Sequence, residues 1–157
     1  METYNIRHLV GIKASAETVY QALTDTKKLA GWWTADTRGK GSTVGDVLEF
    51  WFEDFCLKFE VADLQQGKLV RWKYDGKDEE WAGTEVAFSL NDDEEQCYVN
   101  FSHTGWRSDS GCFSHCSTKW AVFMLSLKDL LEKGKGQPAP DDVKIEYDEV
   151  ARRRLAA

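Results

Sequence analysis

The stretch CFSHCSTKWAVFMLSLKDLLEKGKGQP, residues 112–138, decides how the chain folds. Phe113, Cys116, Trp120, Phe123, Met124, Leu127 and Leu131 recur at the three- and four-residue spacing that lines one side of a helix. Gly134, Gly136 and Pro138 then stop it. A helix of about five turns with so broad an apolar stripe can cover a whole sheet, so a sheet is expected upstream. On the same wheel, at about 100° per residue, His115 sits roughly 140° from Trp120 and shares its face with Thr118, Lys119, Ser126 and Asp129. That face is expected to be solvated.

Upstream the sheet can be read. Residues 4–13 alternate loosely, with Ile6, Leu9, Val10 and Ile12 apolar, and predict a first strand. Ser15 suits a helix cap, and Ala16, Val19, Tyr20 and Leu23 match an amphipathic helix. A second short helix is expected through TKKLAGW, residues 26–32, broken near Gly31. Strands follow at 34–38, 46–53, 55–62, 68–74, 83–90 and 95–103, separated by short turn signals that favour an antiparallel meander. In FCLKFEV, Phe55, Leu57, Phe59 and Val61 face one way and Cys56, Lys58 and Glu60 the other.

At 157 residues one domain is expected over residues 1–136, with a polar, Pro-led tail over 137–157. The tail reads as a marginal helix from Asp142 or as a disordered segment, with Arg152–Arg154 solvated. The composition is aromatic-rich, with seven Trp, eight Phe and five Tyr. A net charge of −7 without a basic stripe argues against nucleic acid as a partner. No apolar run reaches signal-peptide or membrane-spanning length, so a soluble, cytoplasmic protein is expected. Cys56, Cys97, Cys112 and Cys116 then read as thiols that fill the core.

Residues that carry chemistry are few. Cys112, His115 and Cys116 lie close together, but a structural zinc site needs a second ligand pair, and none is present. Neither a nucleophile elbow, a phosphate loop nor a His-Glu-x-x-His helix occurs. His103 is the one weak catalytic candidate: strand parity places it inward with Cys97, Val99 and Phe101, where it could serve as acid or base or bind backbone in the HTGW turn. Tyr98 is expected to point outward. So is Trp51, between Glu49 and Glu53, which could mark a homodimer face or a seat for the tail.

The order of these elements resembles the SRPBCC superfamily, the START-like or helix-grip fold. Within it the chain is similar to bacterial proteins related to the C-terminal domain of the activator of the heat-shock-protein-90 ATPase. The likeness rests on VYQALTDTKKLAGWW (19–33), VGDVLEFWF (44–52), KLVRWKY (68–74), GTEVAFSL (83–90), HTGW (103–106) and the spaced apolar residues from Trp120 to Gly134. It implies an α+β fold: a curved antiparallel sheet of about seven strands around a long C-terminal helix, with two short helices after the first strand.

It also implies a cavity between sheet and helix for a small hydrophobic ligand, such as a lipid or polyketide, with no cofactor and no metal. Its wall would be Phe50, Phe52, Leu57, Phe59, Trp72, Phe88, Phe101 and His103 from the strands. Trp120, Met124 and Leu127 would come from the helix, with Trp33 and Trp106 near an entrance. The alternatives are a cyclase- or hydrolase-type enzyme using His103, or a chaperone ATPase co-regulator, for which 157 residues leave no room for the separate N-terminal domain of the eukaryotic activators.

Overall fold

The computed structural model describes residues 2–146. The chain runs β1 (Tyr4–Ile12), α1 (Ala16–Thr24), α2 (Thr26–Leu29), β2 (Asp36–Gly39), β3 (Val47–Phe52), β4 (Phe55–Gln65), β5 (Leu69–Tyr74), β6 (Glu85–Asp92), β7 (Cys97–Trp106) and α3 (Cys112–Lys133). The seven strands form one antiparallel sheet in the order β1-β7-β6-β5-β4-β3-β2. α3 lies across its inner face, as the helix-grip expectation requires.

Local chemistry places each element. Ser15 Oγ accepts from Thr18 N–H to start α1, and the Asp25 carboxylate accepts from Lys27 N–H to start α2. α3 begins at Gly111, which has no side-chain cap, and Glu80 Oε2 from the β5–β6 loop accepts from Cys112 N–H at 2.9 Å instead. α3 ends at Gly134, whose φ of 82° is the left-handed cap glycine favours.

Strand β7 runs three residues beyond its expected end. Tyr4 pairs with Trp106, so HTGW is strand rather than turn. Gly105, with φ of 89°, takes the kink that a side chain would resist, and the register of β1 shifts between Tyr4 and Ile6 to match. β2 and β6 each start two residues later than the periodicity predicts.

The polar face of α3 corrects the helical-wheel reading. His115, Lys119 and Ser126 are buried there. Residues 137–146 cover that face as an irregular strap, and the ion pair between Lys119 and Asp142 is buried beneath it. A wheel cannot foresee a cover supplied by a polar segment downstream. The tail reading falls partly on these residues; Arg152–Arg154 and the rest of 147–157 lie outside the described residues.

Candidate functional site

The inward faces of the strands and the apolar stripe of α3 meet in an aromatic interior. Phe50, Leu57, Phe59, Trp72, Phe88, Phe101, His103, Trp120, Met124 and Leu127 are all buried there, and Phe52 is partly buried. The strand residues point inward by parity, because one-residue alternation is rigid wherever one face is dry, and Trp120, Met124 and Leu127 do so by the helical spacing of α3.

Trp33 differs from its expected place. It stands at the centre of the interior rather than near an entrance. Its ring contacts Phe50 at 4.1 Å and Trp120 at 4.7 Å between centroids, and lies parallel to Trp72 at 6.2 Å with an interplanar angle of 2°. Phe52, Phe59, Phe123 and Trp32 complete its shell. Most other interior rings ride on strands or α3, whereas Trp33, like Trp32 beside it and Trp81 on the β5–β6 loop, hangs from a connection, here the one between α2 and β2. Residues on such connections move more readily than those held in a ladder.

Polar groups inside this shell fall into two sets. Trp120 Nε1 donates to His103 Nδ1 at 3.1 Å, and His103 Nε2 lies 2.9 Å from Thr84 Oγ1, which itself donates to the Trp81 carbonyl. With Nδ1 accepting and the Thr84 proton directed elsewhere, the imidazole is neutral and carries its proton on Nε2. Burial pushes its pKa down to about 3. Both ring nitrogens of His103 are therefore engaged within the chain, which gives it the part of a structural histidine.

The second set is unpaired. The indole N–H groups of Trp33, Trp72 and Trp106 are buried and find no acceptor among the described residues. Each such donor costs about 1–3 kcal/mol relative to a satisfied one. Trp32 shows the contrast, donating to the Ala22 carbonyl at 2.9 Å.

Trp106, expected near an entrance, is buried at 2% exposure. It lines a surface depression of about 350 Å³ with Glu79, Glu80, Arg107, Ser108, Ser110 and Gly111. Behind it stand His103 at 4.7 Å and Trp81 at 5.7 Å between ring centroids. Trp81, Trp32 and Thr84 were not foreseen as part of the site. The signal at Trp81 was a lone indole inside the polar run YDGKDEEWAGT, a hydrophobe too large to leave in water.

Outward residues follow the sequence reading. Tyr98 accepts from Gln96 on the outer face, and Trp51 donates to Glu49 at 3.0 Å beneath the Arg38 guanidinium. Cys97, Cys112 and Cys116 are buried, with the sulfurs of Cys112 and Cys116 2.7 Å apart. Burial pushes the Cys97 thiol up to about 11 and raises that of Cys116 too, so these thiols resist ionisation. Among the described residues no group of three metal-ligating side chains occurs. No helix of the described chain is long and apolar enough to cross a membrane.

Comparison with known proteins fits this geometry. Solved structures include the Aha1 dimer from Colwellia psychrerythraea, 46% identical, with a TM-score of 0.77 over 85% of this chain and 99% of that one. A Staphylococcus saprophyticus protein is 18% identical with a TM-score of 0.71 over 85% of this chain and 95% of its own. A Mesorhizobium loti protein is 18% identical with a TM-score of 0.73 over 83% of this chain and 98% of its own. These last two share the fold. None of the curated proteins compared with the chain matches it. Residues 13–132 match the family described as Activator of Hsp90 ATPase homolog 1-like protein. The chain belongs to that family, on the helix-grip fold of the SRPBCC superfamily.

Proposed function

We propose that this protein binds a small, flat, apolar molecule carrying a hydrogen-bond acceptor, in the space between sheet and α3 that the Trp33 ring fills. The observation that carries the reading is the pair of buried, unpaired indole donors on Trp33 and Trp72, set on parallel rings in an otherwise apolar interior. Ligand sites are apolar concavities with few, placed polar groups, and an acceptor there recovers hydrogen-bond energy that the closed interior forgoes. Trp33 must swing aside, which its place on a loop permits. The neutral, doubly engaged His103 favours binding over acid–base chemistry.

Fluorenone and fluorene, alike in shape but differing in one carbonyl, test this by equilibrium titration. Fluorenone is expected to bind more tightly, with Trp72→Phe reducing the difference between the two. Equal affinities unaffected by Trp72→Phe, or no binding by either, would overturn the reading.

We further propose a homodimer, because the 46% identical Colwellia relative is described as a dimer in solution. Leu9, 63% exposed on edge strand β1, gives an apolar contact for it. Light scattering should return twice 17.9 kDa; a mass of one chain at high concentration refutes it.

A further inference from the structure

We propose that residues 136–146 are a latch on Trp33: docked on α3, this strap holds the indole inside, and its release is the step that admits a ligand. The proposal rests on the binding reading above for the ligand, but the latch itself is a property of the chain.

The strap meets the Trp33 loop backbone to backbone. Ala139 N–H donates to the Trp33 carbonyl at 2.8 Å, and Ala35 N–H donates back to the Ala139 carbonyl at 2.9 Å, so Thr34 and Ala139 form a parallel bridge. Two residues earlier, Gln137 N–H donates to Ser126 Oγ at 2.8 Å, and that hydroxyl donates to the Trp32 carbonyl at 2.8 Å. Both carbonyls that flank the Trp33 side chain are thereby tied to the strap or to the helix beneath it. At Gly136 the approach is so close that a Cβ would fall 2.5 Å from the Gly31 carbonyl oxygen.

Charge fixes the other end. Lys119, 3% exposed, pairs with Asp142 and also donates to the Val143 carbonyl at 3.1 Å. Lys144 donates to the second Asp142 oxygen at 2.7 Å, and His115 Nδ1 faces the Glu146 carboxylate. These contacts specify one docked position, because a buried charge without its partner is costly.

The surface under the strap makes release feasible. His115, Lys119 and Ser126 are groups that water solvates well, so lifting the strap uncovers a hydrated helix face rather than an oily one. An apolar seat would weld the strap down. What release removes is the strap's hold on the Trp33 carbonyl and on Ala35; the Trp33 N–H to the Leu29 carbonyl at 3.0 Å, Ser126 Oγ to the Trp32 carbonyl and Thr34 Oγ1 to the Trp51 carbonyl remain.

The test compares the full chain with a chain ending at Lys135 and, should that truncation fail to fold, with Ala139→Pro, which removes the strap's donor to the Trp33 carbonyl. Amide hydrogen exchange is read at Trp32 and Trp33, whose N–H groups do not touch the strap, with β5–β7 as an internal control. Fluorenone uptake is followed in parallel. Roughly tenfold faster exchange at Trp32 and Trp33 with an unchanged β5–β7, together with faster uptake, is expected from loss of the strap's hydrogen bonds. Unchanged exchange at both tryptophans in a folded variant overturns the latch. Faster exchange without any uptake leaves the latch standing and refutes the ligand.

Discussion

Trp120 on α3 donates its indole N–H to Nδ1 of His103 on β7, joining helix to sheet at 3.1 Å in the middle of the interior. The bond sets the imidazole tautomer and leaves His103 neutral at any pH the folded chain meets above about 3. It also holds α3 in register over the strands. Three ring contacts around it, to Trp81, Trp106 and Trp120, exclude water from the imidazole.

His103 makes stability depend on pH in a known direction. Its folded pKa is depressed to about 3 from an ordinary 6.5. Between these values the unfolded chain binds a proton that the folded chain refuses. The contribution is complete above about pH 6.5 and is lost as pH falls, at about 1.4 kcal/mol per pH unit. Urea unfolding from pH 7 to 4 should show this slope, and His103→Gln should flatten it.

Trp120→Phe removes the donor while keeping an aromatic ring. His103 Nδ1 is then a buried acceptor without a partner, which costs about 1–3 kcal/mol. Chemical denaturation measures the loss; a neutral substitution would show that the bond contributes nothing.

Asp142→Ala strands Lys119, which is 3% exposed. Breaking one side of a buried pair costs about 3–5 kcal/mol in general, and lifting the strap into water relieves part of that here. Adding Lys119→Met to Asp142→Ala is expected to restore most of the stability. A double variant no better than the single one would deny the pair its role.

Trp33→Ala empties the centre of the interior and should cost about 3–5 kcal/mol. The variant is expected to regain stability in the presence of added indole, seen as a higher Tm that rises with indole concentration. No regain would mean that the surrounding rings collapse into the space.

Gly105→Ala places a Cβ 2.9 Å from the Gly83 carbonyl oxygen on a residue with φ of 89°. Backbone strain of about 1–3 kcal/mol is the expected cost, read as a lower Tm.

The sheet and α3 were legible because their patterns are imposed by burial on one side. Phe55 to Val61 alternate, and Phe113 to Leu131 recur at helical spacing, so each inward residue announced itself. What was hidden depended on partners distant in sequence. His115 and Lys119 read as solvated because Asp142 and Glu146, which face them, lie more than 20 residues away on a segment with no periodicity. Trp33 read as a rim residue because a loop has no parity, and its carbonyl is tied to Ala139, a partner that no local pattern encodes. Trp81 was missed for the same reason, inside a polar loop that only the folded chain closes over His103 and Trp106.

The central claim is that the interior opens at Trp33 to take an acceptor onto the indole donors of Trp33 and Trp72. Two-dimensional nitrogen–proton spectra of the tryptophan side chains under fluorenone titration test it most directly. The indole signals of Trp33 and Trp72 should shift downfield and saturate together, while that of Trp32, bonded to Ala22, moves little. If both interior signals stay in place as fluorenone reaches its solubility limit, the interior is a packed core and the binding account is contradicted.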